Sequence, residues 1–170
     1  MNNNQIETYA NITGFSNYQV SNFGNVKNIK TGRILKPGTE GSGYLYVILM
    51  DDGERSSKKI HKLVATTFLQ NSEEKKCVDH KDRCKTNNHI SNLRWATGSE
   101  NNQNKSMQLN NISGVIGVSW FKRDSKWKVQ IMENGVQKHL GYFISKDDAI
   151  TARSNAEIQY FGEFRAIIPV

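Results

Sequence analysis

Glycine cuts the first third of this chain into pieces too short for anything but a small sheet. Gly14, Gly24, Gly32, Gly38, Gly41 and Gly43 separate β-type runs such as Tyr18-Gln19-Val20 and Tyr44-Leu45-Tyr46-Val47-Ile48-Leu49. Glycine reaches positive φ without steric penalty and so marks turns. β-branched and aromatic residues between the turns favour the pleated backbone. A small twisted sheet is expected over about residues 7–50, inside a first module of residues 1–57. Lys27, Lys30, Arg33 and Lys36 form a spaced basic series there. It can follow a nucleic-acid backbone or be a solvated loop.

A second module, 58–106, has a different rhythm. Ile60, Leu63, Val64, Thr67 and Phe68 recur at helical spacing, which predicts a short amphipathic helix. Val78 to Asp82 and Leu93 to Ala96 read as short strands. Thr97-Gly98-Ser99-Glu100 has the form of a capping box, with Thr97 as N-cap and Glu100 at the third helical position. A helix is expected from there to about Lys105. Residues 107–112 form a polar linker. The third module, 113–170, offers three strands, Val115 to Phe121, Lys126 to Met132 and Gln137 to Phe143. Asn134-Gly135 between the last two is a hairpin signal. A helix over Asp147 to Tyr160 follows, with Ser145 as its cap. The fold class is α+β.

The chain of 170 residues carries 23 Lys and Arg against 16 Asp and Glu, a net charge of +7. That balance favours an anionic partner, although a merely basic surface has the same count. No apolar run approaches the roughly 20 residues of a membrane span, and Met1 to Gln5 has no apolar signal core. A soluble, intracellular protein without a membrane partner is expected. Cys77 and Cys84 fit neither a disulfide framework nor a four-ligand zinc site, so free thiols are expected.

The chemistry concentrates in Val78-Asp79-His80-Lys81-Asp82, Asn92-Leu93-Arg94-Trp95 and Glu100-Asn101. Hydrolysis of a phosphodiester needs an activated water and stabilisation of the charge that builds on phosphorus. Asp79 offers a carboxylate and Asn101 an amide oxygen, hard donors suited to one Mg²⁺ or Mn²⁺ per site. An imidazole titrates near pH 6.5 when unperturbed, so His80 can take a proton from water at neutral pH. One difficulty stands: neighbours on a regular strand point to opposite faces. Asp79 and His80 share a site only if the backbone is irregular or the phosphate sits at the strand edge. Arg94 either contacts a phosphate or pairs with an acid. His61 is either a buried, hydrogen-bonded histidine or a phosphate contact. Asn87 and Asn88 suit a tight turn, and Trp95 reads as core.

These residues carry a resemblance. Asp79-His80, Asn92-Leu93-Arg94-Trp95 and Glu100-Asn101 resemble the HNH endonucleases, in the H-N-N variant of phage-type homing enzymes. Gly14-Phe15, Tyr18 to Val26, Leu35-Lys36-Pro37 and Gly43-Tyr44-Leu45 are similar to the NUMOD4 motif that precedes such domains, and Ile60-His61-Lys62-Leu63-Val64-Ala65 resembles the helix that opens them. Tyr9 stands where the first motif usually has Trp, and Arg83-Cys84 where the nuclease turn often has Gly-Asn. Gly117-Val118, Lys126-Trp127, Leu140-Gly141-Tyr142-Phe143 and the last helix resemble AP2/ERF-type DNA-binding domains. The resemblance implies a ββα-metal nuclease core between a small β module and a three-stranded sheet with one helix. It implies Asp79 and Asn101 on the metal, His80 as general base, and Asn92 fixing the loop and orienting the histidine. Carried over by position, Ser119, Arg123, Lys128, Gln130 and His139 face a DNA groove.

The charge split agrees with that face. Residues 113–145 carry five bases against two acids, and residues 146–165 three bases against four acids. The expected function is a metal-dependent, site-specific endonuclease of homing type that hydrolyses or nicks duplex DNA as a monomer. The expected location is the host cytoplasm of a phage or virus, or a host nucleus. The alternative is a non-cleaving, sequence-specific DNA-binding regulator that keeps the HNH shape. A protein-interaction domain with incidental charge would bind no DNA.

Overall fold

The computed structural model describes residues 6–105, 107 and 111–166. They divide into two compact units, Met1–Thr97 and Gly98–Val170.

In the first unit, β1 (Tyr9–Ile12), β2 (Phe15–Ser21) and β3 (Val26–Asn28) form one antiparallel sheet in that order. A second sheet joins β4 (Gly38–Thr39), β5 (Leu45–Asp51) and β6 (Glu54–Lys59). β6 was not expected: its sequence, ERSSKK, is wholly polar and shows no alternation. Asp52 and Gly53 hold φ of 44° and 85°, the two positive values that a two-residue hairpin turn needs. That turn, not the strand's own residues, returns the chain against β5.

Helix α1 (Ile60–Phe68) follows directly and buries Ile60, Leu63, Val64 and Ala65. It has no side-chain cap and no acid in its first turn. Nine uncapped residues are marginal as an isolated helix, so α1 is held by its packed face. β7 (Cys77–His80) and β8 (Leu93–Ala96) then pair antiparallel, with Asp79 opposite Arg94 and His80 opposite Leu93. One apolar cluster runs through all of this: Ile12, Val20 and Val26 from the first sheet, Val47 and Leu49 from the second, Leu63 and Val64 from α1, Val78 and Leu93 from the hairpin. Val20, Leu49 and Val64 are fully buried, each stabilising by about 1.5–3 kcal/mol.

The second unit opens with α2 (Gly98–Gln103), directly after Thr97 as the capping box predicts and ending two residues short of Lys105. β9 (Val118–Phe121), β10 (Lys126–Glu133) and β11 (Val136–Phe143) make a sheet of order β11-β10-β9, and α3 (Lys146–Phe161) packs on it. Ser145 caps α3, its hydroxyl accepting from Asp147 N at 3.1 Å and from Asp148 N at 3.5 Å. Asn134 and Gly135 form the expected hairpin turn with φ of 48° and 79°. β9 starts at Val118, not at Val115. Gly117 sits at φ +78°, and a Cβ there would lie 2.3 Å from Gln130 O and 2.7 Å from Arg153 Nη1, so the chain turns before the strand can begin. Val129 and Ile131 are buried against α3, as period-two alternation on β10 predicts.

Arg153 is the polar centre of this unit. It is 4% exposed, donates to Gln130 O at 2.6 Å and pairs with Glu157 at 2.9 Å. Among the described residues no helix is long and apolar enough to cross a membrane.

Candidate active site

His80 is the last residue of β7, where the ladder gives way to a turn with Arg83 at φ +64°. Asp79 and His80 are both buried, at 5% and 4% exposure, yet they meet different partners. Asp79 Oδ2 accepts from Arg94 Nε at 2.8 Å and from Arg94 Nη2 at 2.7 Å. The imidazole of His80 lies instead among rings, 5.1 Å from His61 and 5.8 Å from Tyr44 between centroids. Arg94 therefore pairs with an acid, one of the two roles open to it.

The tautomer of His80 follows from its neighbour. His80 Nε2 lies 3.1 Å from Asn88 Oδ1. Asn88 Nδ2 donates to Thr86 O at 3.3 Å, which fixes the amide with its oxygen toward the ring. An amide oxygen only accepts, so Nε2 carries the hydrogen and the neutral ring has its lone pair on Nδ1. Burial holds the imidazole below its ordinary range, opposed by the Asn88 hydrogen bond and by the charges of Asp82 and Asp79. The ring is neutral at physiological pH, the state a general base needs.

Asn92 ties the loop together through Asp82 and Asn87. Its Nδ2 donates to Asp82 Oδ1 and to Asn87 O, both at 2.8 Å, and its Oδ1 accepts from Asp82 N at 3.0 Å. Asn87 Nδ2 adds a bond to Asp82 Oδ2 at 2.7 Å. Burial works against the Asp82 charge, but the bonds from Asn87, Cys84 N and Asn92 hold its carboxyl below the usual range. Asn88, not Asn92, hydrogen-bonds the imidazole. Sequence reasoning gave Asn88 only a turn role, because nothing in a tandem Asn-Asn says which amide faces inward.

His61 is buried at 4% exposure, and its Nδ1 has no hydrogen-bond partner. Burial first, then the charges of His80, Lys59 and Lys62, push it down to about 3. It is buried, as expected, and packs beside Tyr44, 4.8 Å away. Trp95 is partly buried against the main cluster, and its Nε1 donates to Leu69 O at 3.3 Å. Asn101 lies half-buried on α2 in the second unit.

Among the described residues no three His, Cys, Asp or Glu side chains cluster as a metal cage. The Asp79 carboxylate is a hard oxygen donor of the kind a divalent cation takes, with water and phosphate oxygens able to complete its shell.

In the second unit, register puts Ser119, Lys128 and Tyr142 in one cross-strand row, with Gln130 opposite His139. The rings of His139 and Tyr142 are 4.7 Å apart. Tyr142 was missed because β11 carries a bulge: Val129 pairs with Gly141 but Gln130 with His139. The extra residue, Leu140, lets two side chains three apart share a face. Arg123 is off the sheet, in the turn between β9 and β10, and bonds Asp124 at 2.7 Å. A cavity in this unit, lined by Ile116, Trp120, Trp127, Met132 and Phe161, includes none of the residues around His80.

Two family models match: the NUMOD4 motif over residues 7–50 and the HNH endonuclease over residues 58–103. The DNA endonuclease I-HmuI of Bacillus phage SP01 is 36% identical over 136 residues, covering 76% of this chain and 75% of that protein. An HNH endonuclease of Acanthamoeba polyphaga mimivirus is 47% identical over 94 residues, 54% of this chain but only 24% of its own length. The H-N-H endonuclease F-TflII of Escherichia phage T5 is 32% identical over 91 residues, 52% of this chain and 47% of that protein. A solved structure described as DNA binding and cleavage by the HNH homing endonuclease I-HmuI superposes with a TM-score of 0.56 at 28% identity, covering 89% of this chain and 88% of that one. With the Asp79-His80 strand end, the looped asparagines and this shared length, the chain belongs to the HNH endonuclease family of nucleases.

Proposed function

We propose that this chain is a metal-dependent, site-specific DNA endonuclease of homing type. The observation that carries the reading is the neutral His80 imidazole, with Nε2 committed to Asn88 and its lone pair on Nδ1. In this reading Nδ1 takes the proton from an attacking water. The water oxygen bonds to phosphorus as the bond to the leaving sugar oxygen breaks. Asp79 and Asn101 would hold one Mg²⁺ or Mn²⁺, which would stabilise the charge on the phosphate. Asn92 and Asp82 keep the loop closed behind the base. Arg94 neutralises Asp79 and aims its carboxylate. Residues 113–170 serve as an AP2/ERF-like module that meets duplex DNA through Ser119, Lys128, Gln130, His139 and Tyr142, with Arg123 at the rim. One site per chain favours a monomer that nicks.

The deciding experiment is cleavage of the host-locus duplex by the full chain with Mg²⁺, alongside His80→Ala. General-base removal costs roughly 10² to 10⁴ in rate. Equal rates for the two proteins overturn the assignment. One observation favours a second reading, a DNA-binding regulator that does not cut: the Arg94 guanidinium donates to Asp79 Oδ2 from two nitrogens, where a metal would bind. Binding without cleavage at any Mg²⁺ or Mn²⁺ concentration would select it.

A further inference from the structure

The strand pair that bears His80 does not aim it alone. Three contacts reach the histidine and its loop from residues before Lys58. First, the β2–β3 turn lies against the loop that carries Asn88. Asn22 O accepts from Ile90 N at 2.8 Å, and the Phe23 ring stands edge-on to His89 at 4.6 Å. Second, Gly24 sits at φ +89° with no room for a side chain. A Cβ there would be 2.8 Å from Asn88 Cβ and 3.3 Å from Ile60 Cγ2, whereas real Cβ contacts under 3 Å do not occur in close-packed interiors. Third, Tyr44 is a half-buried ring placed against both His61 and His80. Lys59 and Lys85 hold their ammonium groups over its ring, each at 5.0 Å, and Lys85 also donates to Ser42 O at 2.8 Å. So Gly24 presses on Asn88, which hydrogen-bonds the imidazole, and Tyr44 lies against the ring itself.

We propose that the N-terminal module is part of the cleavage machinery: Gly24 and Tyr44 are positioning residues that set the plane and tautomer of His80. The inference rests on the reading of His80 as the base. It assigns a positioning duty to a segment that precedes the nuclease motif in the chain. A ring that can rotate presents Nδ1 to water only part of the time, and an offset of about 1 Å in a reacting group can cost as much as 10²-fold.

The experiment uses the full chain and four variants: Tyr44→Phe, Tyr44→Leu, Gly24→Ala and His80→Ala. Two readouts are taken, single-turnover cleavage at saturating duplex and the ¹⁵N shifts of the His80 ring in the metal-free, DNA-free protein. Wild type and Tyr44→Phe should show the Nε2–H tautomer and cut at rates within about twofold, since the ring and not the hydroxyl does the positioning. Tyr44→Leu and Gly24→Ala should drift toward mixed tautomers and cut roughly tenfold more slowly, with duplex affinity unchanged. Tyr44 is half exposed, so its leucine variant should fold even if Gly24→Ala does not. An unaltered His80 tautomer in Tyr44→Leu overturns the proposal, as does a Tyr44→Phe variant as slow as Tyr44→Leu. Full cleavage by His80→Ala would instead sink the assignment of the base, and the ¹⁵N readout would still decide this one.

Discussion

The two units solve the same problem, a small core, by opposite means. The first shares one apolar cluster among two sheets, a helix and a hairpin. The second has two small apolar clusters, around Val129 and around Ile131, and ties sheet to helix with a buried guanidinium. A shared apolar core makes distant segments mutually dependent, which suits a site whose parts come from far apart in sequence. A polar tie holds with few residues and leaves the outer sheet face free to vary. In the proposed function, catalysis needs the fixed geometry around His80 and recognition a replaceable surface.

The largest expected effect tests the first half of that contrast. His80→Ala should lower cleavage by about 10² to 10⁴ and leave the duplex affinity within a factor of about two, as measured by filter binding. An affinity that collapses with the rate would mean that His80 also carries the contact to DNA.

Next come two core changes, one per unit. Leu49→Ala, at a fully buried site, should cost about 3 kcal/mol and abolish cleavage near the new melting temperature. Arg153→Ala should cost about 3 kcal/mol, the low end for breaking a buried pair because Arg165 still reaches Glu157. It would strand Gln130 O and weaken duplex binding by loosening the sheet. Two calorimetric transitions moving independently would sharpen the contrast, and one joint transition would break it. For the same reason Arg153→Ala is no neutral control for DNA contact, although it lies on the helix and away from the basic face.

A smaller effect concerns pH. His61 is held down to about 3 in the folded first unit, against about 6.5 unfolded. Between those values the unfolded chain binds the extra proton, so stability rises with pH across that window. It is fully present above about pH 6.5 and lost as pH falls toward 3. Melting temperatures of His61→Phe should fall less than wild type over that range. A parallel decline would show that His61 does not carry the dependence.

The smallest effect belongs to the sheet. Lys128→Ala should flatten the log–log salt slope of binding by about 0.9 if it meets a phosphate, or relax preference at one base position by about 1–3 kcal/mol if it meets a base edge. Unchanged binding would move the interface off this face.

Much of the frame was legible from local signals. Helix α1 follows from apolar spacing, α3 from Ser145 and its following acids, and the last hairpin from Asn134-Gly135. Asp79 and His80 stand out because their residue types imply chemistry. What stayed hidden depends on contacts between segments distant in sequence. No local pattern says that β6 pairs, that Asn88 rather than Asn92 meets the imidazole, or that Arg153 is buried. The Tyr142 face was hidden for a related reason, since one bulge inverts the alternation on which strand reading depends.

That bulge has an evolutionary consequence. Leu140 is the single surplus residue that turns both His139 and Tyr142 outward. Deleting one codon there would restore strict alternation and turn one of the two rings toward the helix. Point substitutions on this sheet change one contact at a time, but a one-codon indel would exchange half of the strand's outward side chains at once. If the sheet reads DNA as proposed, such an indel would change several contacts in one step while the residues around His80 stay as they are.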